Sequence, residues 1–288
     1  MPTIALQRFN MEWIKDDKVV VLIGKRETGK SFLVRDLLYY HQDIPVGTII
    51  SGTEGANSFY SQIFPPIFIH DKFKAETIAR YMARQRKVNK MLQTEMSEKG
   101  YSGMNSHKYF ENGLSDIDPR ALLILDDCLY DKSWVNNTDI RSLFMNGRHY
   151  FSMFIITMQY ALGVPPALRT NIDFVFILRE NIFANRKRLY DQYAGMFKTF
   201  DEFCQVMDQC TENFECLVIN NNSKSNKIEE QVYWYKAEDH EEFQIGAPQF
   251  WKYHSENYGI DDEDDDPSDS TRPKKNSIPL TVKKMNMY

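Results

Sequence analysis

Cysteine is scarce: four in 288 residues, at Cys128, Cys204, Cys210 and Cys216, with no C-x-x-C pair among them. The even spacing of the last three matches no usual zinc-ligand pattern, and so few widely placed cysteines do not make a disulfide framework. They read as reduced thiols in a cytosol-like compartment. No apolar run approaches the roughly 20 residues that cross a bilayer. The first residues, Met1 to Gln7, lack the basic stretch leading into an apolar one that marks a secretory signal. These absences point to a soluble, intracellular protein with no membrane span. Internal repeats are also missing, which sets aside solenoids and propellers.

Net charge is modest at −5, with 35 bases against 40 acids. It is unevenly spread. Asp261 to Asp269 hold seven acids and no base, and Arg272 to Lys284 hold five bases and no acid. Removing both leaves 33 acids and 30 bases (40 − 7 and 35 − 5) in residues 1–260. A nearly neutral body neither demands nor forbids a nucleic-acid partner. The composition divides the chain into a globular part, 1–258, and a disordered tail, 259–288, acidic then basic.

Within the globular part, short apolar runs alternate with helical patterns. This predicts an α/β fold with a mostly parallel sheet and helices on both faces. Strands are expected at Val19–Ile23, Gly47–Ile50, Ile67–Ile69, Ala121–Leu125, Met153–Thr157 and Phe174–Leu178. A helix over Ser31–Tyr40 offers Phe32, Leu33, Leu37 and Leu38 as its inward face. Lys72 to about Glu98 reads as one long helix or two joined ones. Tyr101–Asp118, rich in Gly, Ser and Asn, reads as an exposed or mobile loop. Two helices follow at Asn181–Gly195 and Thr199–Gln209. Cys216–Ile219 and Gln231–Tyr235 then form a hairpin.

Gly24-Lys25-Arg26-Glu27-Thr28-Gly29-Lys30-Ser31 matches G-x-x-x-x-G-K-[ST] at every fixed position. Average residue frequencies predict an accidental match in roughly 1% of chains this long. The context reduces that further, since an apolar strand precedes the octet and a helical pattern follows it. Gly24 and Gly29 permit a tight loop whose N–H groups turn inward on phosphate oxygens, and the helix N-terminus adds partial positive charge. Lys30 would reach the β- and γ-phosphates of ATP, and the Ser31 hydroxyl would ligate Mg²⁺.

A phosphate loop needs a carboxylate on a neighbouring strand. Ala121-Leu122-Leu123-Ile124-Leu125-Asp126-Asp127 is an apolar strand ending in paired acids. Asp126 would meet the metal shell, and Asp127 would polarise an attacking water. Asp127 is an aspartate where glutamate is more common, and so reaches less far. Met153-Phe154-Ile155-Ile156-Thr157-Met158-Gln159 ends in a polar tip, and the Gln159 amide could orient water or sense the γ-phosphate, being both donor and acceptor. An ordinary strand-end glutamine fits equally well. Arg148, Arg169 and Arg179 are candidates for an arginine that stabilises the transferring phosphoryl group. Taken alone, each reads first as a surface or salt-bridge residue.

The order of these motifs carries a resemblance. A Gly-x₄-Gly-Lys-Ser loop, a strand ending Asp126-Asp127, Gly147-Arg148-His149, a strand ending Thr157-Met158-Gln159, and Pro165-Pro166-Ala167-Leu168-Arg169-Thr170-Asn171 follow one another. The chain resembles, over roughly residues 15–240, the genome-packaging ATPases of large nucleocytoplasmic DNA viruses. Those are RecA-like members of the FtsK–HerA superfamily of P-loop motors. The resemblance implies a ring, hexameric by expectation, that couples ATP hydrolysis to moving double-stranded DNA into a capsid. It also implies Gln159 as the sensor, an arginine such as Arg148 or Arg169 acting across the subunit interface, a capsid or portal partner, and a location in the host-cell cytoplasm (the virus factory) or the virion.

Between Lys72 and Lys90 stand seven bases and one acid, Glu76. On a helix these could neutralise DNA phosphates without reading bases; the plainer reading is a solvated helix face. Tyr101–Asp118 could serve as a pore loop. A P-loop kinase acting on a nucleoside or nucleotide, and a nucleotide-gated assembly factor, are the competing functions. Paired acids ending a buried strand suit water attack better than hydroxyl phosphorylation. The absence of an N-K-x-D motif argues against a GTPase.

Overall fold

A computed structural model describes residues 4–128 and 133–258. The expected tail at 259–288 lies outside the described residues. Nine strands form one sheet: β1 (Gln7–Arg8), β2 (Val19–Ile23), β3 (Gly47–Ser51), β4 (Ile69–His70), β5 (Ala121–Asp126), β6 (Ser152–Met158), β7 (Phe174–Ile177), β8 (Glu215–Asn220) and β9 (Val232–Lys236). Their spatial order is β1-β9-β8-β7-β2-β6-β5-β3-β4. Pairing is parallel except where β8 runs antiparallel to β7 and β9. The predicted mostly parallel sheet and the terminal hairpin are therefore both present. The α-helices of the described residues are α1 (Lys30–Tyr39), α2 (Glu54–Asn57), α3 (Ala75–Glu98), α4 (Ser106–Glu111), α5 (Ser133–Asn136), α6 (Thr138–Asn146), α7 (Pro166–Arg169), α8 (Phe183–Tyr193), α9 (Phe200–Cys210) and α10 (Pro248–Tyr258).

The central strands are apolar without alternation because both of their faces are covered. On β2, Val19, Val21 and Ile23 enter a core shared with α3, α6, α8 and α9. Val20 and Leu22 enter the opposite core, with Leu33, Val34, Leu37 and Leu38 of α1. This is the period-two alternation of a strand, made invisible in sequence by burial on both sides. Phe32 departs from expectation: it is 44% exposed, and Val34 takes the inward place given to it.

Three other expectations change. Ile67–Ile69 is mostly a 3-10 turn over Pro66–Phe68, leaving only Ile69 and His70 for β4. Two consecutive prolines, Pro65 and Pro66, fix φ and remove N–H donors where a longer strand would need them. The long helix is single, 24 residues, and starts at Ala75, so Lys72 and Lys74 precede it. Tyr101–Asp118 is not an open loop. It contains α4, whose Tyr109 is fully buried with Leu92, Met96 and Phe151 in a small third core. Its aromatics outweigh the Gly, Ser and Asn that suggested mobility.

Candidate nucleotide site

The carboxyl ends of the parallel strands gather the candidate residues. β2 leads into the Gly24–Ser31 loop and α1. A β-carbon at Gly24 would stand 2.6 Å from Thr28 Oγ1 and 2.8 Å from Leu178 Cβ, so only glycine fits between the loop and β7. Gly29 caps α1 with φ of 96°, the left-handed region that glycine adopts without strain. Thr28 Oγ1 donates to Lys25 O at 2.8 Å, closing the loop on itself.

Lys30 Nζ lies inside this loop, donating to Gly24 O at 2.6 Å and Lys25 O at 2.8 Å. Among the described residues it makes no ion pair. Burial lowers its pKa, opposed by the charges of Asp127 and Asp126 and reinforced by Arg26. An ammonium held only by neutral carbonyls, with two carboxylates near but not bonded, is suited to exchange those carbonyls for phosphate oxygens. Ser31, next on α1, is exposed.

Register assembles the acidic side. Asp126 pairs across with Ser51 on β3 and with Thr157 on β6, so three short polar side chains end adjacent strands in one row. Ser51 Oγ donates to Asp126 Oδ2 at 3.0 Å, and Thr157 Oγ1 donates to Asp126 Oδ1 at 2.5 Å. The fully buried Tyr60 hydroxyl lies near the same carboxylate without a hydrogen bond to it, and burial together with the Asp126 charge pushes the Tyr60 pKa far up. Burial raises the Asp126 pKa, the bonds from Thr157 and Ser51 pull it back, and Asp127 pushes it up; the net direction is upward. Asp127 has φ of 50°. Its N–H donates to Thr157 Oγ1 at 3.0 Å, and its carboxylate accepts from Gln159 Nε2. Thus β6, inserted between β2 and β5, places Thr157 under both acids and Gln159 beside the second.

Lys30, Asp126, Asp127 and Gln159 are brought together; Arg148 lies apart from them, and Arg179 follows β7 at the same end of the sheet as the loop. Arg148 sits in a 3-10 turn before β6, at the amino ends of the strands, lining a depression with Asp17, Asp173 and Asn222. The seven residues of β6, roughly 20 Å of extended chain, separate it from Gln159. Arg169 ends α7 with its guanidinium over the Tyr193 ring, 5.8 Å from the centroid. Arg179 is exposed and donates to Asn181 Oδ1 at 3.1 Å. Sequence reasoning missed Ser51, Tyr60 and Glu180. Buried Glu180 holds Lys25 Nζ at 2.5 Å and accepts from Ile182 N and Asn185 Nδ2, tying the phosphate loop to the end of β7. Burial raises the Glu180 pKa, but the Lys25 bond and the two N–H donors outweigh it and hold the carboxyl below its ordinary value.

The donor set fits a nucleoside triphosphate with Mg²⁺: a glycine-bounded loop at a helix N-terminus, a lysine and a hydroxyl on it, and a carboxylate pair across a strand. The fold agrees. The genome packaging NTPase B204 of Sulfolobus turreted icosahedral virus 2, solved in complex with sulfate, superposes with a TM-score of 0.50 at 15% identity, over 79% of this chain and all of that one. At that identity the likeness concerns the fold alone. Sequence relatives are closer. The uncharacterized protein L437 of Acanthamoeba polyphaga mimivirus is 37% identical over 261 residues, 89% of this chain and 86% of its own length. The uncharacterized protein 075L of Invertebrate iridescent virus 6 is 38% identical over 253 residues, 86% of this chain and 89% of its own. The chain belongs to the family of these viral proteins. No protein-family model matches it. A third member, the uncharacterized protein 015R of Frog virus 3, is 32% identical over 237 residues, 81% of this chain. In this member of the family, no helix of the described residues is long and apolar enough to cross a membrane.

Proposed function

We propose that the chain is an ATP-hydrolysing motor that moves double-stranded DNA into a viral capsid. The observation that carries the reading is the meeting of Lys30, Asp126, Asp127 and Gln159 at one end of the sheet. In this account the loop N–H groups of residues 24–31 cradle the phosphates, and Lys30 neutralises the β- and γ-oxygens. Ser31 and Asp126 would hold Mg²⁺, which would supply charge neutralisation to the phosphates when bound. Asp127 takes a proton from the attacking water, and Gln159, bonded to Asp127, fixes the water's line of approach. Ser51 and Thr157 orient Asp126, and Glu180 positions the loop through Lys25.

A hydrolase of this kind needs a charge to complete the site, and Arg148 of its own chain lies at the opposite end of the sheet. Arg148 or Arg169 would act on the nucleotide of a neighbouring subunit in a ring, hexameric by family expectation. The exposed guanidinium of Arg148, which makes no side-chain bond among the described residues, favours it over Arg169 stacked on Tyr193. DNA would be held through phosphates by the basic residues of α3. Of its five bases, Arg86 pairs with Asp139 and Arg84 bonds to Gln85, leaving Arg80, Lys87 and Lys90 for a partner. The cytoplasm of the infected cell or the virion is the proposed location, a capsid or portal protein the docking partner, and residues 1–258 the motor domain.

Mixing tests the reading. Lys30→Ala alone should release no phosphate from ATP. Arg148→Ala alone should also be inactive, and the two together should recover part of the wild-type rate, because one interface in the mixed ring joins an intact loop to an intact arginine. Transfer of phosphate to an added nucleoside or nucleotide instead of water would establish the kinase alternative.

A further inference from the structure

Phe214 is out of place by the ordinary rules of folding. It stands before β8 in a four-residue turn closed by Glu215 N donating to Glu212 O at 2.8 Å. Both central residues are left-handed, Asn213 at φ 51° and Phe214 at φ 64°. Asn-Gly is the pair that such a turn prefers, and a bulky side chain in the second position is strained. The ring gains little burial in return, since Phe214 is 69% exposed. It does have a particular neighbour. A β-carbon built on Gly29 would lie 3.5 Å from Phe214 Cδ1, so the ring stands at the rim of the phosphate loop.

Topology fixes which rim. β8 runs antiparallel to β7, so its first residues share an end of the sheet with the loop. Asp126, Asp127 and Gln159 lie on β5 and β6, to one side of β2; Phe214 lies toward β7 and β8, to the other. The acids and the glutamine attend the terminal phosphate in the function proposed above, on which this step rests. An extended triphosphate with its γ end toward β6 therefore leaves the loop, nucleoside outward, on the side where Phe214 stands. Strain kept at an exposed aromatic beside a binding loop has a use if a flat ligand covers the ring.

We propose that Phe214 is the platform on which the base of the bound nucleoside triphosphate stacks. Stacking engages the π-face that every base has, so the residue contributes affinity for a nucleotide without selecting among bases.

Equilibrium binding of two probes to the full chain tests this: ATP, and inorganic tripolyphosphate, which has the phosphates without the base. Phe214→Gly suits the backbone angle and should fold at least as stably as the wild type. It should weaken ATP binding about tenfold or more and leave tripolyphosphate binding unchanged. Phe214→Trp should keep the wild-type affinity for ATP. Equal ATP affinity in the wild type and Phe214→Gly would overturn the proposal, as would a parallel loss of tripolyphosphate, which would make Phe214 a support of the loop. A wild-type chain that binds neither probe would refute the nucleotide reading itself, and the platform with it.

Discussion

At Asp126 the role proposed for the carboxylate opposes stability. Burial raises its pKa above the ordinary 3.8, so the folded state holds the proton more tightly than the unfolded chain. Its contribution to stability is therefore fully present below the unfolded pKa and is lost as pH rises through the folded value. At neutral pH the carboxylate that would hold Mg²⁺ is a destabilised ion. Asp126→Asn keeps the shape and can still bond Ser51 and Thr157, so it should raise the melting temperature at pH 7 while abolishing hydrolysis; a lower melting temperature would contradict the burial argument. The same shifts shape the pH profile of kcat/KM. Its acid limb should lie above the ordinary aspartate range, and its alkaline limb below 10.5, because burial lowers the Lys30 pKa. The fixed positions of the loop, Asp126, Asp127 and Gln159 were readable because each ends or follows an apolar run. Ser51 and Tyr60 were not, since their relation to Asp126 exists only through cross-strand register and packing. Glu180 reads in sequence as one more polar residue after a strand.

Among elements, the segment between α3 and β5 departs furthest from its sequence. Gly103, Asn105, Ser106 and Asn112 suggest a mobile loop, yet Tyr109 is buried against Leu92, Met96 and Phe151. His107 stacks on Phe151 at 4.0 Å, and its Nε2 bonds to Arg148 O at 2.7 Å. The segment is thus anchored to the turn that carries Arg148. Leu92→Ala should cost about 2–3 kcal/mol of stability and free residues 101–118 first, read as faster amide hydrogen exchange there than in β2 or β6. Uniform exchange across the chain would mean that the small core is not a separate unit. The central strands were legible as uninterrupted apolar runs. β1 and β4 have only two residues each, too few for any periodicity, and their existence depends on partners far away in sequence. Phe32 was placed inward by helical spacing, but helical periodicity cannot fix where the apolar stripe ends.

Across the whole molecule, the strand order brings the loop, the paired acids and the polar tip of β6 to one end of the sheet. It leaves Arg148 at the other end. In the function proposed here the site is completed where subunits meet, which would link hydrolysis to assembly and to DNA inside the ring. Relatives in mimivirus and iridescent viruses place the chain in a viral family, while the sheet and loop give it a P-loop fold. In the function proposed here, hydrolysis serves movement along double-stranded DNA. That coupling is tested most directly by measuring phosphate release from ATP by the full chain with and without long linear double-stranded DNA. Turnover should rise severalfold with DNA and be absent in Lys30→Ala under both conditions. A rate indifferent to DNA would contradict the coupling.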